Sequence, residues 1–588
     1  MPNESTIPTS ATPDVITITI LVAGTKLPGA FPVLAVSVSR ELNRIPTATI
    51  HFKDGDAAKG KFEISDSAFL IPGMEIEIQL GYRSQNKTVF KGIITHHSIS
   101  VRRNNSMLIV ECRDKAVKMT SGKKSKYFTD QKDSDIMEAV IGQYGLSKEV
   151  EATNPDLKQV VQYDATDWDF LLLRAEANGQ VVMVEDGKVR IAKPATGSEA
   201  VVSVEYGNTL IELDAMIDAR LQSEGIKTGS WLAADQEIIN AEAREPNSTR
   251  NGNISTTDLS AVIGGGTHEK FHGGALSQPE LQAWADGLLL KERLAKTRGR
   301  VKFQGFADAM PGKLIEINGI GERFQGKMYI SGVRHSVSGG NWETDVQLGL
   351  SPELFAETYN LRTIPASGLI PGISGLQIGV VTVLEGDPAG NDRIKIRLPI
   401  ISMADEGIWA RISTLDAGKN RGTFFRPEIG DEVIVGFLND DPRNPIVLGM
   451  CHSAAKPAPE PPKDDNHLKG YVSRENMRFI FDDDNKVILI ETPAGNKITI
   501  SEENSGIVME DQNGNKITMD NTGIAIESIK DLTLKAAQDI KIEGINATFS
   551  ASGSFTAKGS GSVEVKGASI SINGSATTEI KGGMVMIN

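Results

Sequence analysis

Few residues in this chain have types and spacing that could support catalysis. The stretch GGGTHEKFHGG sets His268, Glu269 and His272 in an H-E-x-x-H pattern. On a helix, histidines four apart share a face and can hold zinc, with the intervening glutamate as general base. Here Gly264, Gly265 and Gly266 precede the motif and Gly273 and Gly274 follow it, leaving six residues between glycine clusters. That is under two turns, too short for a stable helix, so the segment reads as an exposed loop. A third ligand could be Glu292, but it lies in a Lys/Arg-rich segment that reads as a solvated helix face. His96 and His97 are adjacent in a strand pattern and point to opposite faces, so they cannot chelate together. Asp482, Asp483 and Asp484 could hold a cation, although such a run is more often a solvated turn. The sequence contains no G-x-S-x-G elbow, Walker loop or Cys–His arrangement. No catalytic residue, resident metal or cofactor is therefore expected, and the chain does not read as an enzyme.

The elements that would have to position any site are mostly strands. At 588 residues the chain is too long for one core. Aromatics make up only 5%, and 58 Gly and 25 Pro imply many turns. The net charge of −14 argues against nucleic acid, since no basic block is available to displace counterions. The opening MPNESTIPTSATPD lacks the basic and apolar regions of a signal peptide, and no run approaches 18 apolar residues. The reading is a protein made in the cytoplasm that would leave the cell by some route other than general secretion. Cys112 and Cys451 are far apart and read as two reduced structural thiols.

Residues 14 to 120 alternate apolar and polar types as strands do. Ser134 can cap a helix over DIMEAVIGQYGL, whose Ile136, Met137, Val140, Ile141 and Tyr144 share a face. Asp167 can cap a second helix that stops at Asn178-Gly179, and a hairpin with Asp186-Gly187 at its turn follows. From about 200 to 365 strands return, interrupted by one amphipathic helix with Pro279 in its first turn. LIPGISG at 369–375 is a linker, a compact β unit extends to about 453, and KPAPEPPKDD is a stiff spacer.

Beyond residue 470 the chain is a string of short β segments. The phrase GNKIT starts at Gly495 and again at Gly514, and further on Gly559, Gly567, Gly574 and Gly582 recur at spacings of 8, 7 and 8. That rhythm suits a five-residue strand plus a corner, with the glycines at the corners. Alternation puts Ile498, Ile500, Ile517 and Met519, and then Val563, Val565, Ile570 and Ile572, in inward rows. Burying each such side chain yields roughly 1.5–3 kcal/mol, against about 1–2 kcal/mol to order each backbone residue. A single strip has no second layer against which to bury these rows, so other chains must supply it. Three copies wound about one axis would form a triangular prism with closed edges. A single-chain β-helix is the rival arrangement, although its coils need about 20 residues each. The segment Met584, Val585, Met586 and Ile587 either sends half its side chains inward or presents an apolar platform for a capping protein.

The unit before the tail carries a resemblance. GLQIGVVTVLEGDPAGNDRIKIRLP, then GIWARISTLDAGKNRGTFFRPEIGDEVIVGFLNDDPRNPIVLGMCHS, resembles the oligonucleotide/oligosaccharide-binding (OB) barrel of VgrG proteins, the spikes of type VI secretion and related contractile injection systems. The matching details include Trp409-Ala410-Arg411, Arg426-Pro427 and Pro445-Ile446-Val447 with Gly449. The only aromatic and basic cluster, Phe424, Phe425 and Arg426, reads as core or interface rather than as a nucleic-acid surface. Residues 14 to 365 are similar to the phage-hub-like half of the family. The resemblance implies a mainly β fold with an α+β N-terminal hub. Residues 1–368 would form a hub-like base of β-barrel subdomains with a helical insert at about 130–180. The OB-fold barrel would span 369–455, a Pro-rich linker 456–470, and a triple-stranded β-helix shaft and tip 471–588.

It further implies a homotrimer without cofactors, seated on an inner tube protein among baseplate proteins. A PAAR-type tip protein or effectors would ride at its end, and it would puncture a target membrane transiently on contraction. The interval from Cys451 to Tyr471 leaves no room for a lysozyme-like insert, and no effector domain is expected after GGMVMIN. The alternatives are a phage or prophage baseplate hub, a fibre-like adhesin, and, on HEKFH alone, a zinc hydrolase.

Overall fold

A computed structural model describes residues 7, 15–103, 105–247 and 251–587. Most of the N-terminal stretch examined for a signal peptide lies outside them. The chain divides into two compact units, Met1–Ile373 and Ser374–Asn588.

The first unit is built on a 13-stranded sheet. Its central strands, Gly326–Ser338, Val33–Glu41, Thr47–Lys53 and Asn105–Arg113, pair antiparallel in that order. Alternation decides which face is buried. Val36, Ile50 and Val110 stand opposite one another and are almost fully buried, while Ser37 and Thr49 between them face outward. A second core lies against strands Leu314–Asn318 and Thr297–Gln304 and includes Ile315, Phe303 and Val346.

The helical insert contains helices Asp133–Gly142 and Asp167–Ala177. Both caps fall one or two residues before the positions read from the sequence. Ser134 lies inside the first helix, its backbone N–H bonded to Thr153 Oγ1 at 2.9 Å, and Lys132 occupies the cap. Thr166 caps the second helix by accepting from the Asp169 N–H at 3.0 Å. Asp167 is drawn inward instead, where its carboxylate accepts from Lys124 Nζ at 2.6 Å, Tyr144 Oη at 2.6 Å and Gln162 Nε2 at 2.9 Å. Burial works to raise its pKa, but these three donors together hold it below the usual carboxylate range. The Asp186-Gly187 hairpin has φ of +52° and +86° at its two turn residues, as a two-residue turn between twisted strands requires. A 17-residue helix, Gln278–Leu294, starts from a Ser277/Glu280 capping box with Pro279 in its first turn. No helix among the described residues is long and apolar enough to cross a membrane.

The second unit opens with a closed barrel of strands Gln377–Val383, Ile394–Arg397, Ile408–Ile412, Glu432–Phe437 and Pro445–Met450. Val381, Ile394, Ile396, Ala410, Val433 and Val435 fill it. A seven-stranded antiparallel meander follows, from Leu468–Val472 to Gly523–Glu527. From 528 to 587 the described residues form no strand within the single chain.

Candidate functional site

The HEKFH residues do not form a metal site in this fold, nor the loop read from the sequence. They form an exposed strand, Thr267–His272, paired in parallel with Gly225–Leu232. Four residues along a strand span about 13 Å, so His268 and His272 cannot share an ion. His268 Nδ1 lies 3.5 Å from Glu292 Oε1, whereas His272 Nδ1 turns to the backbone of Gly274. Glu292 is not on a solvated face either. Its side chain is mostly buried, and Ser223 donates to it from Oγ at 2.5 Å and from its N–H at 3.2 Å. Among the described residues, no group of three or more His, Cys, Asp or Glu is arranged to hold a metal.

The most extensive regular apolar surface on the second unit belongs to the seven-stranded meander. One face carries two uninterrupted apolar columns. The first runs Tyr471, Phe479, Ile490, Ile498, Met509, Ile517, Ile526, each residue directly opposite the next. The second runs Phe481, Ile488, Ile500, Ile507, Met519, Ile524. Among the described residues no layer covers this face, and Ile500 remains 45% exposed and Ile524 73% exposed. The sequence reading found Ile498, Ile500, Ile517 and Met519 in these columns and missed the remainder. The same alternation is present in RFIFD, VILIE, GIVME and GIAIE, but without a repeated phrase to draw attention to it.

The opposite face alternates charge from strand to strand. Arg478, Glu491, Lys497, Glu510, Lys516 and Glu527 stand in one cross-strand row of strictly alternating sign. Lys497 Nζ lies 3.4 Å from Glu510. Each exposed pair adds only a fraction of a kcal/mol, but a one-strand slip would place like charges opposite each other.

The doubled phrase builds the turns at one edge of this sheet. Gly495 and Gly514 have φ of +93° and +91°, a conformation that a side chain resists. The asparagine after each glycine ties its turn to the next segment. Asn496 Oδ1 accepts from the Gln512 N–H at 3.1 Å, and Asn515 Oδ1 accepts from the Ile529 N–H at 3.2 Å. Asp511 closes the second turn, accepting from the N–H groups of Asn513 and Asn515, both at 2.9 Å, and from Asn515 Nδ2 at 2.8 Å. These hydrogen bonds, the Asn515 side chain foremost, hold its pKa down at about 2.

In the last sixty residues the glycines act differently. A Cβ on Gly559 would lie 2.4 Å from the Ser562 carbonyl oxygen, and one on Gly574 would lie 2.5 Å from that of Thr577. The chain doubles back there too closely for any side chain. Gly567 and Gly582 are tight at 3.2 and 3.3 Å. Val563, Val565, Ile570 and Ile572, and Met584, Val585, Met586 and Ile587 after them, are all exposed on the single chain.

Residues 12–339 match the Alg8 N-terminal domain, residues 377–452 the type VI secretion system/phage-baseplate injector OB domain, and residues 486–588 the phage baseplate V C-terminal trimerisation domain. The type VI secretion system spike protein VgrG1b of Pseudomonas aeruginosa is 25% identical over 57% of this chain and 47% of its own length. VgrG1a of the same organism is 28% identical over 29% of this chain and 28% of its own length. The chain thus spans about half the length of the first of these relatives and less of the second. A 43 kDa tail protein from a Shewanella oneidensis prophage aligns with 57% of this chain and 98% of its own at 13% identity, with a TM-score of 0.44. With its first domain filling more than half of its length and the injector barrel and trimerisation domain behind it, the chain belongs to the Alg8 N-terminal domain family and to the VgrG-type spike proteins of contractile injection systems.

Proposed function

We propose that this chain is the central spike subunit of a contractile injection apparatus and that it works as a homotrimer and not as an enzyme. Its first unit seats on the inner tube among baseplate proteins, and its shaft concentrates the force of contraction on a small area of target membrane. The observation that carries this reading is the pair of apolar columns on a one-layer sheet, which three copies would enclose as a dry core. It is strengthened by the trimerisation domain matched over residues 486–588, which take in all but the first two strands of that sheet. The subunit is made in the cytoplasm, joined to the particle and exported when the sheath contracts.

Light scattering or native mass spectrometry of the purified full chain tests this directly. The expected mass is three times 63.3 kDa, and a monodisperse monomer would defeat the proposal. The apolar Met584, Val585, Met586 and Ile587 supply a platform for a PAAR-type tip protein or for tip-borne effectors. Deleting residues 583–588 should abolish tip-protein pull-down, and unchanged retention would refute that assignment. A prophage-type baseplate hub is the second reading, favoured by the barrel domain, whose description covers phage baseplates equally. Neighbouring genes for membrane-complex or receptor-fibre proteins separate the two.

A further inference from the structure

The barrel carries an apolar projection that its own chain does not cover. Leu415 is 96% exposed and Phe424 81% exposed, both in the segment 413–427 between two barrel strands. The segment is braced. Thr414 Oγ1 donates to the Thr423 carbonyl at 2.9 Å, the Thr423 N–H donates to the Asp416 carbonyl at 2.9 Å, and Arg421 Nη1 bonds both Asp416 carboxylate oxygens at 2.7 and 2.9 Å. The bracing holds these two large apolar side chains out in water instead of letting the loop fold them in.

Its neighbour in sequence shows what it docks on. The Phe425 ring packs on Tyr471 at 4.8 Å between centroids, and Arg474 Nη1 reaches Glu428 at 2.9 Å, so the loop is fixed at the base of the shaft. Tyr471 is the first member of an apolar column that continues through Phe479 and then turns aliphatic at Ile490. The second column likewise begins with Phe481 and continues as Ile488. Were three such faces to meet, the aromatic side chains would hold the sheets further apart than the isoleucines do and leave the mouth of the prism wider than its body. Phe425 is committed to its own Tyr471, and Phe424, next along the chain, makes no ring contact among the described residues.

Resting on the spike reading above, we infer that segment 413–427 is an intersubunit collar. Leu415 and Phe424 of one copy seat on the aromatic first strands of a second copy's shaft, Leu468–Val472 and Arg478–Asp482. The occupant is a second copy because the apolar surface is continuous, through Phe425 and Tyr471, with a sheet whose later strands, from Val487 on, lie in the trimerisation domain. The collar would prevent the shaft from fraying at the end where the load enters.

The test uses the full chain with a photo-crosslinking phenylalanine analogue at position 424. Irradiation should give a band of doubled or tripled mass on a denaturing gel, and peptide mapping should place the link in residues 468–482. Links confined to one chain, to other parts of a second copy, or to a different protein would overturn the inference. Phe424→Arg, at an exposed position, should leave the trimer able to form but shorten its half-life in hot detergent about tenfold or more. An unchanged half-life would also overturn it. A wild-type chain that is monomeric throughout would defeat the spike reading itself, whereas a stable trimer with no link at 424 defeats only the collar.

Discussion

Single residues in this protein set its response to acid and to thiol reagents. His335 is buried against Trp342, with Nδ1 3.0 Å from Thr344 Oγ1, and burial, aided by the charge of Arg40, lowers its pKa to about 3. In an unfolded chain an imidazole titrates near about 6.5. The unfolded state therefore takes up the proton first, so this residue's stabilising effect is complete above about pH 6.5 and is lost as pH falls toward 3. The melting temperature of the first unit should drop between pH 7 and 4.5, and His335→Gln should flatten that dependence even if it lowers the starting value. Asp511 has the same sign at lower pH. Its turn should hold above the usual carboxylate range and loosen as pH approaches 2, and hydrogen exchange at Asn513 and Asn515 should report this. The two thiols should also separate. Burial pushes Cys112 up to about 12, while Cys451 is exposed, so a native monomeric fraction should titrate one thiol per chain and a denatured one two.

At the scale of elements, register decides which side chains each meander strand presents to which face. Ile517 stands between Met509 and Ile526 in the first apolar column, while Thr518, its neighbour, faces the other way between Val508 and Ala525. Ile517→Ala should cost about 2–5 kcal/mol per copy in the assembled shaft, and Ile517→Lys should abolish assembly. Thr518→Lys should leave the oligomer mass unchanged by native mass spectrometry. The opposite outcome, Thr518→Lys disruptive and Ile517→Lys neutral, would mean that the other face is the enclosed one. Alternation made these strands legible in the sequence because a one-layer sheet buries residues in strict period two. The caps differ by a residue or two because tertiary partners claim the expected residues: Thr153 takes the Ser134 N–H, and Lys124, Tyr144 and Gln162 take the Asp167 carboxylate.

For the molecule as a whole, the meander of the second unit presents one apolar face that no layer covers among the described residues. If three copies supply that layer, resistance to unfolding is a rate set by interchain burial, and the trimer should survive detergent at temperatures that melt the first unit. A coincident single transition would show that the shaft adds no kinetic protection. What the sequence left hidden lies at this scale. The glycines around HEKFH excluded a helix, but nothing local revealed that Gly225–Leu232, some forty residues away, would recruit the segment as a strand. The burial of Glu292 depends on Ser223, 69 residues distant.

The alternating row from Arg478 to Glu527 limits how the length of this sheet can be changed by insertion or deletion. Because sign and chain direction both reverse at every strand, only an even number of strands can be added or lost without bringing like charges together. Excising residues 495–513 joins Ala494 to Gly514 and sets Glu491 beside Lys516, a pair as complementary as the one removed. The 19-residue phrase is thus a two-strand unit that can be removed or repeated without breaking the alternation of sign. Each whole copy added or removed changes the extent of the sheet by about 10 Å along the hydrogen-bonding direction and leaves the charged row complementary throughout.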